Sequence, residues 1–244
     1  MNTSEIIKSF KPQNELNPKI WDKEGNSYKM KPEVRERLLE IANEFIDFLK
    51  IEIVVTDIVL TGSLANYNWS KYSDFDIHII ANFNQFPPSH VELYKELFML
   101  KKAIFNKNHD IRIFGYEAEL YVESEDEAHF SSGVYSLLYN DWQNEPQKEK
   151  VKIDKNTIER KAKQWMEIID GVLENIEGES IDDAKELISK YKEKIKKFRT
   201  CGLEKDGEYS SENLVFKILR RNGYLEKLMD ASHKVLEKGL SMKQ

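Results

Sequence analysis

The chain has 244 residues, 40% of them hydrophobic and 33% charged, with 10 Gly and 6 Pro, which fits a folded globular protein of one or two domains and excludes collagenous or disordered classes. A single cysteine, Cys201, rules out a disulfide framework, and no run approaches the ~18 consecutive apolar residues of a membrane span. Net charge is −6, made of −8 in residues 1–150 and +2 in residues 151–244, a balance that does not suit a long nucleic-acid track.

Residues 1–31 are polar and irregular, punctuated by Pro12 and Pro18 and ending before Pro32, and periodicity does not choose between an ordered arm and a loose lead-in. They hold no basic flank followed by an apolar core, so a cytoplasmic, reduced protein is expected. Pro32 suits the first position of a helix that carries Leu38, Ala42, Phe45 and Leu49 on one face. The β-branched run 51–60 reads as a strand ending in a turn at Thr61-Gly62-Ser63, and residues 74–81 alternate so that Asp74, Asp76 and His78 share a face opposite Phe75, Ile77 and Ile79. After Pro87-Pro88, the capping-box pattern from Ser89 to Glu92 predicts an amphipathic helix burying Leu93, Leu97, Leu100 and Ile104.

Two strand candidates follow, 111–114 and 116–122, separated only by Gly115, as one bent strand or a tight pair. The run 134–138 suits a strand or the start of a helix. From about residue 156, apolar stripes at three-and-four spacing predict helices to the end of the chain, broken near Gly178, Gly202–Gly207 and Gly223. The expected fold class is α+β: a mixed β-sheet flanked by helices, then a C-terminal helical domain. The domains are placed at 1–150, with an N-terminal arm, and 151–244.

The chemistry is concentrated between Gly62 and Asp76. Gly62 lies at a strand end where the backbone turns and where the lack of a Cβ lets a ligand come close, and Ser63 adds a hydroxyl beside it. If a helix begins there, its free N–H groups favour an anion such as a triphosphate. Asp74 and Asp76, two apart on a strand, sit on one face with Cα atoms roughly 6.5 Å apart. Carboxylates so close repel unless neutralised, and divalent cations with oxygen ligands do this well.

This run, from Leu60-Thr61-Gly62-Ser63 to Asp74-Phe75-Asp76-Ile77, resembles the signature of the polymerase-β-like nucleotidyltransferase superfamily: an apolar residue, Gly, Gly or Ser, a spacer of about ten, then Asp-apolar-Asp-apolar. Poly(A) polymerases, CCA-adding enzymes, oligoadenylate synthases and antibiotic nucleotidyltransferases share it. The likeness is strong over residues 58–80, including Ser73 before the first Asp, and loose over 34–141. It implies a Mg²⁺- or Mn²⁺-dependent enzyme, with two ions, that moves an NMP from an NTP, ATP above all, to an acceptor hydroxyl and releases pyrophosphate. Asp74 and Asp76 become metal ligands and catalytic residues, and Gly62, Ser63 and Ser73 nucleotide-binding ones.

The family also expects a third carboxylate on a later strand. Glu119, flanked by apolar residues, is the preferred candidate and Glu117, on the same face, the competitor; either replaces the family's usual Asp by a longer side chain. The following stretch around His129, Phe130, Ser132 and Tyr135 corresponds to a pocket-lining region of the superfamily, making Ser132 and Tyr135 candidates for contact with sugar or base. His78 reads better as a structural hydrogen-bonding group than as a ligand, and Tyr67 and Trp69 as packing residues. Lys190, Lys194, Lys197 and Arg220-Arg221 read first as solvated faces and second as phosphate contacts. The acceptor stays open between an RNA 3′ end, a protein and a small molecule, with modest basic character favouring the last two or only the end of an RNA. The alternative is a catalytically silent nucleotide-binding or assembly module of the same fold. A phosphodiesterase using the same carboxylates in another fold is a more distant reading.

Overall fold

Strict alternation after Asp74 buries Phe75, Ile77 and Ile79 completely while Asp76 and His78 stay partly exposed, so one face of this strand belongs to the core and the other is more open. The computed structural model, which describes residues 3–127, 131–148 and 151–241, builds a mixed α+β protein around that strand. In chain order the elements are α1 (Thr3–Lys8), β1 (Trp21–Glu24), β2 (Ser27–Met30), α2 (Pro32–Leu49), β3 (Val55–Thr61), β4 (Phe75–Ala81), α3 (Val91–Asn108), β5 (Arg112–Ile113), β6 (Tyr116–Ser124), β7 (Val134–Ser136), β8 (Asp141–Asn144), α4 (Lys155–Asn175), α5 (Ile181–Asp206), α6 (Ser211–Arg221) and α7 (Tyr224–Leu240).

The chain divides into two compact units, residues 12–149 and residues 1–11 with 150–244. The first eleven residues thus group with the C-terminal helices. In the first unit a six-stranded sheet has the order β5-β6-β4-β3-β7-β8, antiparallel except for the parallel pair β4–β6. Helix α3 supplies the crossover that parallel neighbours need. The core is contributed by the helix-facing strand residues, by Leu38, Ala42, Phe45 and Leu49 of α2, and by Phe98 and Phe105 of α3. Phe45 sits at its centre, fully buried with its ring 5.0 Å from that of Phe105.

Several elements differ from the sequence pattern. Strand β3 starts only at Val55, which pairs with Ala81, the last residue of β4; beyond it Val54 bonds to the turn after β4, its carbonyl accepting from Asn82 N–H and its N–H donating to Gln85 Oε1. Residues 111–124 form a tight pair and not one bent strand. Phe114 and Gly115, both at positive φ (52° and 87°), make the two-residue turn whose twist suits a hairpin. Ser89 does not cap α3: a 3₁₀ turn at Pro88–His90 precedes it, and no side-chain cap bond forms. That helix also turns a different stripe inward. Phe98 and Phe105 are buried, whereas Leu93, Leu100 and Ile104 are exposed, because the rings of Phe83, Phe86 and Phe45 give Phe98 and Phe105 aromatic partners.

The polar segment before Pro32 is an ordered arm from residue 12 on. Its β1–β2 hairpin lays Trp21 against Trp142 (4.6 Å, stacked) and against Tyr135 (4.9 Å, edge-on). Strand β8, hidden in a polar sequence, is fixed by Gln143, whose amide donates to the buried Asp57 carboxylate that also accepts from Ser136.

In the helical unit Asp154, Ser180 and Ser210 cap α4, α5 and α6 by accepting from Thr157, Asp183 and Asn213 N–H groups. Gly202, expected as a break, lies inside α5. A Cβ there would stand 2.5 Å from Glu212 Cβ, so the residue permits close approach of α6. Arg221 joins α1 and its following turn to this unit, donating to Ser9 Oγ at 3.0 Å and covering the Phe10 ring at 5.2 Å.

Phe45→Ala is expected to destabilise the sheet unit by about 3–5 kcal/mol, from lost transfer energy plus a cavity. Urea denaturation should show a lowered midpoint at an unchanged slope.

Candidate active site

The face of the sheet opposite the buried Phe75, Ile77 and Leu120 carries the acids. Pairing of β3, β4 and β6 sets Thr61, Asp76 and Glu119 in one row, Thr61↔Asp76 antiparallel and Asp76↔Glu119 parallel. Asp74 immediately precedes β4. One oxygen each from Asp74, Asp76 and Glu119 lie within 4.8 Å of one another, and all three residues are partly exposed. At an effective dielectric of about 20, two unit charges that close repel by roughly 3.5 kcal/mol. Such a cluster is a natural seat for a divalent cation with oxygen ligands, and its donor set and spacing fit one.

Glu117 does not join the group. It sits one register pair from the hairpin turn, opposite Arg112, whose guanidinium lies 3.4 Å from its carboxylate. Between the two glutamates the geometry therefore brings Glu119, and not Glu117, to the aspartates.

Gly62, at φ +70°, makes room for Asp76: a Cβ built there would stand 1.8 Å from Asp76 Oδ2. Its left-handed backbone and the close carboxylate both demand glycine. The turn after it is only a 3₁₀ turn, Ser63–Ala65, and not the start of a longer helix. Ser63 Oγ donates to Ser73 Oγ at 2.7 Å, and Ser73 Oγ accepts from the Ser70 N–H at 2.9 Å, so the two candidate serines are joined across the spacer. The arm holds this spacer from outside: Gln13 N–H donates to Tyr67 O, Trp69 Nε1 to Glu15 O and Trp21 Nε1 to Leu64 O. Tyr67 and Trp69 pack against the core.

Asn66, which the sequence did not single out, ties this turn to the loop before β7. Its amide donates to Gly62 O at 2.6 Å and to Ser131 Oγ at 3.1 Å, and its carbonyl accepts from Ser132 Oγ at 2.6 Å. A Cβ at Gly133 would meet Ala65 O at 2.1 Å, so the two loops touch through their backbones. Ser132 is exposed beside this junction. Tyr135 lies in the interior: its ring is fully buried among Trp21 and Trp142, and its hydroxyl donates to Asn140 and accepts from Met30 N–H. A side chain so enclosed offers no surface to sugar or base. His129 and Phe130 lie outside the described residues.

Beyond the acids, the same face continues with His78 on β4 and Tyr121 and Glu123 on β6. Tyr121 donates to Glu119 Oε2 at 2.6 Å. His78, its register partner, stacks on it at 4.6 Å with 9° between planes, and His78 Nδ1 lies 2.8 Å from Glu123 Oε1. Lys102 of α3 holds its ammonium 3.3 Å from the Tyr121 ring centroid. Burial raises the Tyr121 phenol well above its ordinary range, helped by the Glu119 bond and the nearby Asp76. Burial lowers Lys102, against the opposing pull of Glu119, Asp76 and Glu123. Tyr121 could have been found by extending the two-residue period of Glu117 and Glu119 one step; Lys102 comes from a helix with no such signal. Lys190, Lys194 and Lys197 are exposed along α5.

The sequence profile of the nucleotidyltransferase domain family matches residues 38–198, which contain every acid of this cluster and most of the chain. The chain belongs to that family and is a nucleotidyltransferase of the polymerase-β-like kind. Among solved structures it is similar to a STING-associated CdnE c-di-GMP synthase from Capnocytophaga granulosa, 13% identical over 98% of both chains, at a TM-score of 0.23 that leaves the assignment resting on the family profile. No curated protein matches the chain.

Gly62→Ala should displace Asp76. Thermal unfolding is expected to show destabilisation by more than about 1 kcal/mol, since Ala tolerates positive φ poorly, and a Mn²⁺ titration should show loss of binding.

Proposed function

We propose that this nucleotidyltransferase moves an NMP from an NTP, with ATP as the first candidate, to an acceptor hydroxyl and releases pyrophosphate. The meeting of Asp74, Asp76 and Glu119 within 4.8 Å beside Gly62 carries this reading. Asp74 and Asp76 are the ligands for one or two Mg²⁺ or Mn²⁺ ions, with Glu119 as the third carboxylate. Bound there, the ions would supply charge neutralisation for the triphosphate and for the developing alkoxide and leaving group.

The protein's own residues do the rest. Glu119 orients the acceptor hydroxyl and takes its proton. Ser63 and Ser73, already bonded to one another, present hydroxyls to the phosphate chain, and Gly62 lets that chain approach the backbone. Ser132, exposed at the Asn66 junction, is a candidate for the sugar. Rate enhancement then rests on positioning and on fixed charge, with no covalent intermediate.

A protein or small-molecule acceptor, or only the 3′ end of an RNA, suits a chain of net charge −6. Among the described residues no helix is long and apolar enough to cross a membrane, and with its one cysteine exposed the protein suits a reducing, cytoplasmic setting.

Each α-³²P-labelled NTP, incubated with Mg²⁺ or Mn²⁺ and with RNA, protein or metabolite pools, should deliver label to one pool. Asp74→Asn and Asp76→Asn should reduce transfer by roughly a hundredfold or more. NTP binding with neither label transfer nor pyrophosphate would overturn the reading and point to a silent module.

A further inference from the structure

The acid cluster is continued along the sheet by a contact group of an imidazole, a phenol and an ammonium. Tyr121 touches both of the others. One side of its ring is covered by His78 at 4.6 Å, nearly parallel, and Lys102 Nζ stands 3.3 Å from the ring centroid. His78 Nδ1 itself stands 2.8 Å from Glu123 Oε1. A phenol ring packed in this way has its χ angles fixed by its neighbours, and its hydroxyl is delivered to one place, Glu119 Oε2 at 2.6 Å.

That geometry matters because Glu119 is the member of the cluster with the most freedom. It has one more methylene than Asp74 or Asp76, and its three χ angles must be restricted if one oxygen is to stay with the aspartates. A hydrogen bond from an immobile donor to one carboxylate oxygen fixes the plane of the group and leaves the other oxygen's direction set. Partners of this kind, one layer behind the metal ligands, govern both ligand orientation and affinity. The nearest bland reading is that a half-buried hydroxyl simply takes the closest acceptor; that reading predicts an effect on folding stability but none specific to Glu119.

We propose that Tyr121, packed against His78 and Lys102, is the positioning residue that holds the Glu119 carboxylate in place for divalent-cation binding. This rests on the cation-dependent reading of the cluster. Tyr121 would touch neither nucleotide nor ion, and would act only through Glu119.

The test is Mn²⁺ binding to the full chain without nucleotide, followed by calorimetry, for the wild type, Tyr121→Phe, Glu119→Gln, the Tyr121→Phe/Glu119→Gln double variant and Asp76→Asn. Phe keeps the stacked ring and removes only the hydroxyl, and thermal unfolding reports whether each variant is folded. Tyr121→Phe is expected to weaken Mn²⁺ roughly tenfold, within the range of such second-layer changes, and to add nothing further in the Glu119→Gln background. A matched transfer assay should show kcat reduced with KM for the NTP unchanged. Tyr121→Phe binding Mn²⁺ within about twofold of wild type, or keeping its full effect without the Glu119 carboxylate, overturns the proposal. A wild type that binds no Mn²⁺, or an Asp76→Asn that binds as tightly as wild type, overturns the cation reading and this proposal with it, a result distinct from failure at Tyr121 alone.

Discussion

The parallel pairing of β4 with β6 is the constraint on which the acidic face depends. It sets Asp76 directly beside Glu119, and the next pair along the ladder, Ile77↔Leu120, points into the core. A one-residue slip would put Leu120 among the aspartates and Glu119 among the phenylalanines, so burial of the helix-facing residues enforces the register. The repulsion between the acids is thus imposed by the hydrophobic core, which outweighs it. Gly62 completes the arrangement from the other side, because β3 brings its end within van der Waals contact of the Asp76 carboxylate.

The surroundings restrain the parts that carry the acids. The arm's Trp21, Gln13 and Glu15 hold the spacer between Gly62 and Asp74 by hydrogen bonds to its backbone or from its indole. Asn66 and Gly133 bind the 3₁₀ turn to the loop before β7. The site is built on sheet strands and braced loops, which suits chemistry whose rate depends on where groups are held.

Much of this was legible in the sequence where local patterning and tertiary structure agree. The alternation around Asp74 and Asp76, the helix opened by Pro32 and the strand ending at Gly62 all follow from period and turn chemistry. The preference for Glu119 over Glu117 rested in the sequence on its apolar flanks alone, because both share a face and the strand partner is what separates them: Arg112 for one, Asp76 for the other. The burial of Tyr135 was not legible either, because the ring that covers it, Trp21, is distant in sequence. On α3 the aliphatic stripe was the more regular, yet aromatic partners elsewhere in the chain drew Phe98 and Phe105 inward. Strand β8 has no apolar period to detect, being held by Gln143 on a buried Asp57.

The crossover through α3 also bears on how the chain reaches this state. Antiparallel β3 and β4 can pair through a short connection, whereas β6 must wait for α3 to close a long loop. Non-local pairings of this kind are formed slowly relative to hairpins and helices. The Gly62–Asp76 contact therefore closes the shorter loop and the Asp76–Glu119 row the longer one. The mutual repulsion of the three carboxylates is complete only when both loops are closed and the core lies behind them.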